Sequence, residues 1–319
     1  MSAKRAARVG GLGTVAVLAA LSLLVGCVSG EDESKGDRAD AAPRKTSPTA
    51  ALTSKPTLSP TPSSRPSHSA TPPSRSASAS TSPAVELPPL HAGFDYQIGG
   101  AYPPPAGVRI VSRDRSASPA PGLYNICYVN AFQVQPGEEK QWPAELLLRD
   151  GRGRAVVDGD WDETLLDIRT AAKRERVAAR VNRWIDGCAD KGFDAVEPDN
   201  YDSYTRSRNL LTAADATAFI TLLSAHAHAR RLAIGQKNTV ELAGLRKRAG
   251  LDFAVAEECG EYDECGVYAK AFDDRVVVIE YTDRGLRKAC SGFGDRLSIV
   301  RRDVMVSTPG DADYVRRTR

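Results

Sequence analysis

Four short apolar segments of the chain each end in a polar side chain suited to acid–base chemistry. Asp199 follows the first segment, Lys237 the second and Glu257 the third, and Glu280 follows the fourth. Glycoside hydrolysis needs two carboxyl groups beside the scissile bond, one to protonate the leaving oxygen and one to act as nucleophile or base. Asp199 and Glu257 are residues of the required type, and the sequence leaves their separation open.

The apolar segments themselves predict short buried strands, at residues 193–196, 232–235, 253–256 and 276–279. Residues 96–98 and 124–129 are further strand candidates, with weaker ones at 155–157 and 165–168. Apolar spacing predicts an amphipathic helix over residues 171–189. A capping box at Thr212 predicts a second helix ending at about Arg230, and a third is expected over residues 240–249.

Helices that alternate with strands favour a parallel sheet whose C-terminal strand ends lie on one side. We therefore expect an α/β fold, a single (β/α)8 TIM-type barrel, with Asp199, Lys237, Glu257 and Glu280 in one pocket. Each residue also has a structural interpretation. Glu197 and Glu280 could form a buried ion network with Lys237, and Asp199 could cap the next helix.

The N-terminus has the pattern of an export signal. Basic residues at 4, 5 and 8 precede an apolar stretch at 15–25, and Gly26 lies directly before Cys27. This pattern resembles a bacterial lipobox, in which the new N-terminal cysteine is lipidated. Residues 1–27 are thus predicted to be a lipoprotein signal, with the protein anchored through Cys27 on the extracellular face of the cytoplasmic membrane. An ordinary signal peptide is the alternative.

Residues 28–87 are rich in Ser, Thr, Pro and Ala, which predicts a disordered linker. Residues 88–319 have the length of one barrel domain, expected to be monomeric. The net charge of +3 is small and the arginines are scattered, so nucleic acid is not expected as a partner. Acidic residues cluster at 194–202 and 257–264, which favours a cationic ligand unless they are solvated loop charges.

Five cysteines remain after Cys27, so at least one thiol is left over. Cys259 and Cys265 are close enough to close a small loop and are the predicted disulfide. The cysteines lack paired CxxC spacing, and His226 and His228 point to different faces of their predicted helix, so no metal is expected. No nucleotide-binding loop or serine-nucleophile motif is present, and no cofactor is expected.

The motif Glu197-Pro198-Asp199-Asn200 resembles glycoside hydrolase family 114, the endo-α-1,4-polygalactosaminidases. The resemblance extends in order from Phe94 to about Arg302. It includes Asp95-Tyr96-Gln97-Ile98, Ile126-Cys127-Tyr128, Leu165-Leu166-Asp167, Gln236-Lys237-Asn238, Glu257-Glu258-Cys259, Tyr262-Asp263-Glu264-Cys265 and Ile279-Glu280-Tyr281.

This resemblance implies a barrel enzyme that cleaves inside chains of α-1,4-linked galactosamine, a cationic polysaccharide. Carried onto matching positions, Asp199 and Glu257 are the catalytic pair, with Asp199 as nucleophile and Glu257 as acid/base. Lys237 is expected to keep nearby carboxylates ionised. The substrate-binding candidates are Tyr96, Gln97, Tyr128, Asp167, Glu197, Asn200, Lys237, Asn238, Glu258, Glu280 and Tyr281, the acids for ammonium groups and the tyrosines for stacking or hydrogen bonding.

Two features depart from the family pattern. Glu258 stands where the family commonly has Gln, and residues 130–142 differ from the usual segment, which bears on the substrate subsites. Two other functions fit the same features. One is a lipoprotein that binds amino-sugar polymers without cleaving them, and the other is a hydrolase of a different polysaccharide.

Overall fold

The computed structural model describes residues 85–318 of the chain. The predicted signal peptide, the lipidation at Cys27 and nearly all of the predicted linker lie outside these residues. Within them, no helix is both long and apolar enough to cross a bilayer.

Strands and helices alternate through most of the described chain. In order they are β1 (Gly93–Gln97), β2 (Val108–Asp114), β3 (Tyr124–Asn130), β4 (Gln133–Val134), β5 (Val157–Asp158), β6 (Glu163–Leu165), α1 (Ala171–Lys191), β7 (Ala195–Asp199), α2 (Ser203–Arg206), α3 (Ala213–Ala229), β8 (Ala233–Lys237), α4 (Arg246–Ala249), β9 (Phe253–Glu257), α5 (Cys265–Ala271), β10 (Val276–Glu280), α6 (Asp283–Phe293), β11 (Ser298–Arg302) and β12 (Arg316–Arg317). Short 3-10 helices cover Glu139–Gln141, Ala144–Leu146 and Val240–Leu245.

Nine of the described strands form one curled sheet in the order β1-β2-β3-β7-β8-β9-β10-β11-β12. The first eight are parallel to their neighbours, and β12 adds an antiparallel edge. The sheet curls until its first and last parallel strands meet, where the Ala92 N–H donates to Ser298 Oγ at 3.0 Å. The predicted TIM-type barrel fold is confirmed.

Side chains alternate between the interior of the barrel and the helix layer along each strand. Phe94, Ile126, Ala195 and Phe253 belong to the apolar cluster inside the barrel. Their strand neighbours, such as Val196, face the helices and join the larger outer cluster. Because side chains along a strand alternate between two faces, every second residue faces the interior up to the C-terminal strand end. At these ends the interior residues are polar instead of apolar.

The first two predicted helices are confirmed, and the third is wrong in form. Thr212 Oγ1 accepts from the Asp215 N–H, and the Asp215 carboxylate accepts from the Thr212 N–H, completing the capping box of α3. Residues 240–249 form a 3-10 helix followed by the single turn of α4. Gly244 lies in the middle of the segment, where glycine is unfavourable in a helix by about 1 kcal/mol relative to alanine, which favours the break.

A separate excursion between β3 and α1 carries the three-stranded sheet β4-β6-β5. The weak strand candidates at 155–157 and 165–168 fall here, displaced to β5 and β6. Strands β2, β4, β11 and β12 were not predicted.

Two disulfides account for four of the five cysteines that follow Cys27. The predicted Cys259–Cys265 bond is confirmed. The other bond joins Cys127 of β3 to Cys188 of α1, and so fixes the helix layer to the barrel.

Candidate active site

The Lys237 ammonium lies at the centre of the C-terminal strand ends, among three carboxylates. Its Nζ is 3.0 Å from Glu197 Oε1, 3.5 Å from Asp199 Oδ1 and 3.5 Å from Glu257 Oε1. The side chains of Lys237 and Glu197 are 2% and 0% exposed, whereas those of Asp199 and Glu257 are 19% and 23% exposed. Two accessible carboxylates therefore lie above a buried ion pair.

Asp199 is held at the end of β7 by two hydrogen bonds. The Tyr128 hydroxyl donates to Asp199 Oδ2 at 2.8 Å, and the Asn200 N–H donates to Oδ1 at 2.7 Å. Asn200 has a φ of +66°, a conformation that asparagine tolerates well. The next helix, α2, has Asp202 rather than Asp199 at its N-cap. Asp199 is thus oriented toward the pocket and does not cap that helix.

Glu257 is held at the end of β9 by its neighbours on β8 and β10. Asn238 Nδ2 donates to Glu257 Oε2 at 2.9 Å, and Asn238 Oδ1 accepts from the Glu257 N–H at 2.9 Å. The Tyr281 hydroxyl donates to Glu257 Oε1. The carboxylate therefore has a fixed orientation while remaining partly open to solvent.

Glu197 forms the buried floor of the cluster. Its Oε1 accepts from the Tyr96 hydroxyl at 2.8 Å and its Oε2 accepts from Ser112 Oγ at 2.7 Å. Burial raises the pKa of Glu197, and the Lys237 charge opposes this shift. Burial likewise disfavours the charged form of Lys237, but the surrounding carboxylates, with Asp199 and Glu257 foremost, outweigh it and hold its pKa well above the usual value.

Tyr96 is also part of this floor rather than of an open surface. It is fully buried, and its hydroxyl accepts from Lys237 Nζ at 2.9 Å. Burial, together with the charge of Glu197, raises the pKa of Tyr96 well above its usual value, so it stays a neutral donor. Tyr96 is therefore placed to hold Glu197 and Lys237 and not to stack on a sugar.

The expectation that Glu280 shares the pocket and the Lys237 network is corrected by the structure. Glu280 lies two residues after Val278 and on the same face of β10, which packs against the helix layer. Its Oε1 accepts from the Gly260 N–H at 2.6 Å. Its Oε2 lies against α6, where a Cβ on Gly285 would approach it to 2.0 Å. Burial raises the pKa of Glu280 to about 7. Tyr281, one residue later, faces the pocket in its place.

Asp167 and Gln97 are occupied by contacts away from Lys237. Arg169 and Lys173 form ion pairs with Asp167 at 2.6 Å and 2.5 Å. Burial would raise the pKa of Asp167, but the hydrogen bonds from these two residues prevail and lower it to about 2. Gln97 Nε2 donates to Asp95 at 2.9 Å, and Gln97 Oε1 accepts from Arg113 at 2.9 Å.

Glu258 directly follows the strand that carries Glu257 and is half-buried. Its backbone has a φ of +57°, and its N–H donates to the Ile279 carbonyl at 2.7 Å. The positive φ ends the extended backbone of β9, so Glu258 lies outside the strand that positions Glu257.

Three polar residues of the site were missed by the sequence analysis. Ser112 supports Glu197 from the unpredicted strand β2. Glu163 Oε2 accepts from Asn130 Nδ2 at 2.9 Å and from Asn200 Nδ2 at 3.3 Å. Burial, with a smaller contribution from the Asp199 charge, raises the pKa of Glu163 to about 7. Asn130 directly follows a predicted strand and could have been found, but no pattern marks Glu163.

The described residues include one group with metal-ligand geometry. The ligand atoms of Cys259, Cys265 and Glu280 lie within 4.8 Å of one another. However, the two sulfur atoms share a disulfide, and metals bind the thiolate form of cysteine. This group therefore does not fit a metal ion.

The Asp199 and Glu257 carboxylates are close enough to act on one bond. Because Asp199 Oδ1 and Glu257 Oε1 are each 3.5 Å from the same nitrogen, they lie no further apart than twice that distance. This limit includes the separation of about 5 to 5.5 Å typical of retaining glycosidases and reaches only the lower end of the inverting range of about 6.5 to 9.5 Å. The geometry suits two-carboxylate hydrolysis.

Comparison with known proteins identifies the family of this chain. The family model of glycoside-hydrolase family GH114 matches residues 73–319. The crystal structure of Aspergillus fumigatus Ega3 in complex with galactosamine is similar at a TM-score of 0.59 and 25% identity, covering 70% of this chain and 96% of that one. The glycoside hydrolase domain of PelA from Pseudomonas aeruginosa has a TM-score of 0.48 and 14% identity, covering 69% and 97%. No curated protein matches. The barrel, its paired carboxylates and the family match establish that this chain belongs to glycoside hydrolase family GH114.

Proposed function

We propose that this glycoside hydrolase cleaves internal α-1,4 linkages of a galactosamine-containing polysaccharide, with Asp199 and Glu257 as its catalytic pair. The observation that carries the proposal is the position of both carboxylates at strand ends around one lysine, each partly exposed and each fixed by a tyrosine. The substrate rests on the motif resemblance and on the similarity to Ega3, whose structure contains galactosamine.

The proposed reaction is a double displacement. Protonated Glu257 gives its proton to the glycosidic oxygen while an Asp199 oxygen attacks the anomeric carbon, so the glycosidic bond breaks and a glycosyl ester forms. Glu257 then takes a proton from a water molecule that attacks the same carbon, and the ester bond to Asp199 breaks. Lys237, Tyr128 and Tyr281 hold the two carboxylates in place throughout.

The charge balance of the cluster favours a cationic sugar. With Glu257 protonated for the first step, the carboxylates of Glu197 and Asp199 still outnumber the single ammonium of Lys237, which leaves excess negative charge when both are ionised. An amino sugar carries a positive charge that this excess attracts. A neutral sugar would gain nothing from it.

We also propose that the enzyme works outside the cell on a lipid anchor. The support is the basic and apolar N-terminal pattern that ends in Gly26 and Cys27, followed by a linker-like composition. Radiolabelled fatty acid should be incorporated into the wild-type chain in a bacterial host, and Cys27→Ser should abolish it. Incorporation that persists in Cys27→Ser contradicts the anchor.

The activity is tested by reducing-end release from partly deacetylated α-1,4-galactosaminogalactan. Asp199→Asn and Glu257→Gln should abolish release, whereas the exposed controls Asp190→Asn and Glu145→Gln should leave it unchanged. Circular dichroism spectra should show that all four variants are folded. Binding of the polymer without any release by the wild type would instead identify a non-catalytic polymer-binding protein.

The stereochemistry of the first product tests the nucleophile. Proton NMR of the new reducing end, recorded before mutarotation, should show the α anomer because two displacements retain configuration. The β anomer would exclude Asp199 as a nucleophile and would assign it as the base for a water molecule.

A further inference from the structure

The side chain of Glu163 joins the three-stranded sheet β4-β6-β5 to the barrel. Glu163 lies on β6, and its Oε2 accepts from Asn130 Nδ2 at 2.9 Å and from Asn200 Nδ2 at 3.3 Å. Asn130 is the last residue of β3, and Asn200 directly follows β7. One carboxyl oxygen therefore bridges the ends of two neighbouring barrel strands.

These two strand ends carry the groups that orient Asp199. Asn130 and Asp199 are paired in the register of β3 and β7. From the β7 side, the Asn200 N–H donates to Asp199 Oδ1 at 2.7 Å. From the β3 side, the Tyr128 hydroxyl donates to Asp199 Oδ2 at 2.8 Å. The carboxylate of Asp199 is thus held from both of the strands that Glu163 joins.

The Asn200 side chain is fixed at both of its polar atoms. Its Nδ2 also donates to Asn130 Oδ1 at 3.1 Å, and its Oδ1 accepts from Arg206 Nη2 at 3.2 Å. Asn130, Asn200 and Glu163 are 7%, 8% and 8% exposed. The φ of Asn200, +66°, lies in a region that is uncommon for residues other than glycine. The side-chain contacts therefore help to hold the backbone N–H of Asn200 in its direction toward Asp199.

This bridge requires an acceptor oxygen and does not require a negative charge. Burial raises the pKa of Glu163 to about 7, with a smaller contribution from the charge of Asp199. At about pH 6 the carboxyl is therefore mainly protonated, and its carbonyl oxygen still accepts from both asparagines. Without that oxygen, the buried amide of Asn130 would lack an acceptor, which favours rearrangement of both asparagine side chains.

We propose that Glu163 is a positioning residue for the nucleophilic step, acting through Asn200 on the direction of the Asp199 carboxylate. Its contact with Asn130 also keeps the end of β3, and with it Tyr128, against the same carboxylate. Glu163 neither gives nor takes a proton in this role and supplies only a fixed acceptor. The proposal rests on the proposed function, which assigns Asp199 as the nucleophile.

The test compares Glu163→Gln and Glu163→Leu at about pH 6 on partly deacetylated α-1,4-galactosaminogalactan. Glu163→Gln retains an oxygen that can accept from both asparagines, so its kcat should stay within about threefold of the wild type. Glu163→Leu fills the same space without an acceptor. Its kcat should fall about tenfold to a hundredfold, whereas its KM should change by less than about twofold.

The matched control is Asp160→Ala, which removes a carboxylate from the turn between β5 and β6 and should leave kcat unchanged. If circular dichroism shows that Glu163→Leu is unfolded, Glu163→Ala is the second variant without an acceptor. An equal loss of kcat in Glu163→Gln and Glu163→Leu overturns the proposal, because the charge of Glu163 would then be required. An unchanged kcat in folded Glu163→Leu overturns it as well and leaves Glu163 a structural role.

Amide hydrogen exchange followed by NMR tests the bridge without the reaction. The Asn200 N–H should exchange about tenfold faster in Glu163→Leu than in the wild type and in Glu163→Gln. Equal exchange rates in the three proteins overturn the effect of Glu163 on Asn200. Faster exchange in Glu163→Leu, with no cleavage of the polymer by the wild type, overturns the proposed function and supports the effect of Glu163 on Asn200.

Discussion

Replacing Lys237 with methionine tests the charge cluster most directly. The substitution keeps most of the volume of the side chain and removes the ammonium that lies 3.0 Å from Glu197 and 3.5 Å from both Asp199 and Glu257. Breaking a buried ion pair by removing one partner typically destabilises a protein by about 3 to 5 kcal/mol. Because Lys237 and Glu197 are fully buried, we expect Lys237→Met to lower the free energy of unfolding by about that amount near neutral pH.

The destabilisation should depend on pH in a defined direction. Burial raises the pKa of Glu197 and Lys237 opposes that rise, so removal of the ammonium raises the pKa of Glu197 in the folded state further. The folded variant then retains a proton that the unfolded chain releases. The loss of stability caused by Lys237→Met is therefore largest above the raised pKa of Glu197. It shrinks as the pH falls, because Glu197 then becomes protonated in both folded proteins.

Urea unfolding at about pH 8 and about pH 5 measures both effects. The control is Lys288→Met, which removes an exposed ion pair with Asp263 and should change stability by less than about 1 kcal/mol. Equal losses in Lys237→Met and Lys288→Met, or a loss in Lys237→Met that grows toward acidic pH, would refute the assignment of Lys237 as the charge that stabilises the cluster.

Three further predictions follow from individual contacts. Tyr128→Phe removes the hydrogen bond to Asp199 but keeps the ring, so kcat should fall about tenfold or more while the unfolding midpoint changes little; an unchanged kcat contradicts this role. Replacing Cys127 and Cys188 together with serine opens a loop with a sequence separation of 61 and should reduce the free energy of unfolding in urea by about 2 to 4 kcal/mol; an unchanged free energy of unfolding contradicts a stabilising role for this disulfide. Burial raises the pKa of Glu280 to about 7, so folding favours its protonated form and the wild type should lose stability as the pH rises from about 5 to about 7. Glu280→Gln should reduce this loss; pH–stability profiles that are identical in the variant and the wild type contradict the prediction.

The sequence predicts the positions of Asp199, Lys237 and Glu257 well because one physical rule governs all three. Each follows an apolar run short enough to be a buried parallel strand, and parallel strands bring their C-terminal ends to the same side of a barrel. The strands that escaped prediction lack this signal. β2 contains Arg109, Ser112 and Arg113, and β11 ends in Arg301 and Arg302, so neither reads as an apolar run.

Glu163 could not be found for a different reason. It lies on a strand of three residues in the excursion sheet, and its neighbours Asn130 and Asn200 come from two separate strand ends of the barrel. Only the folded path of residues 131–168 brings this carboxylate near Asp199. Local sequence patterns contain no information about which distant residues the folded chain brings together.

The direction of the Glu280 side chain follows from the alternation of side chains along β10. Val276, Val278 and Glu280 share one face of β10, and the first two pack against the helix layer. Two-residue alternation therefore directs Glu280 toward α6 and directs Tyr281 toward Glu257. The same alternation places Glu197 and Asp199 on one face of β7, as the structure shows. A position near a C-terminal strand end places a residue on the active-site side of the barrel. Its place in the two-residue alternation then decides whether the side chain points into the pocket or toward the helices.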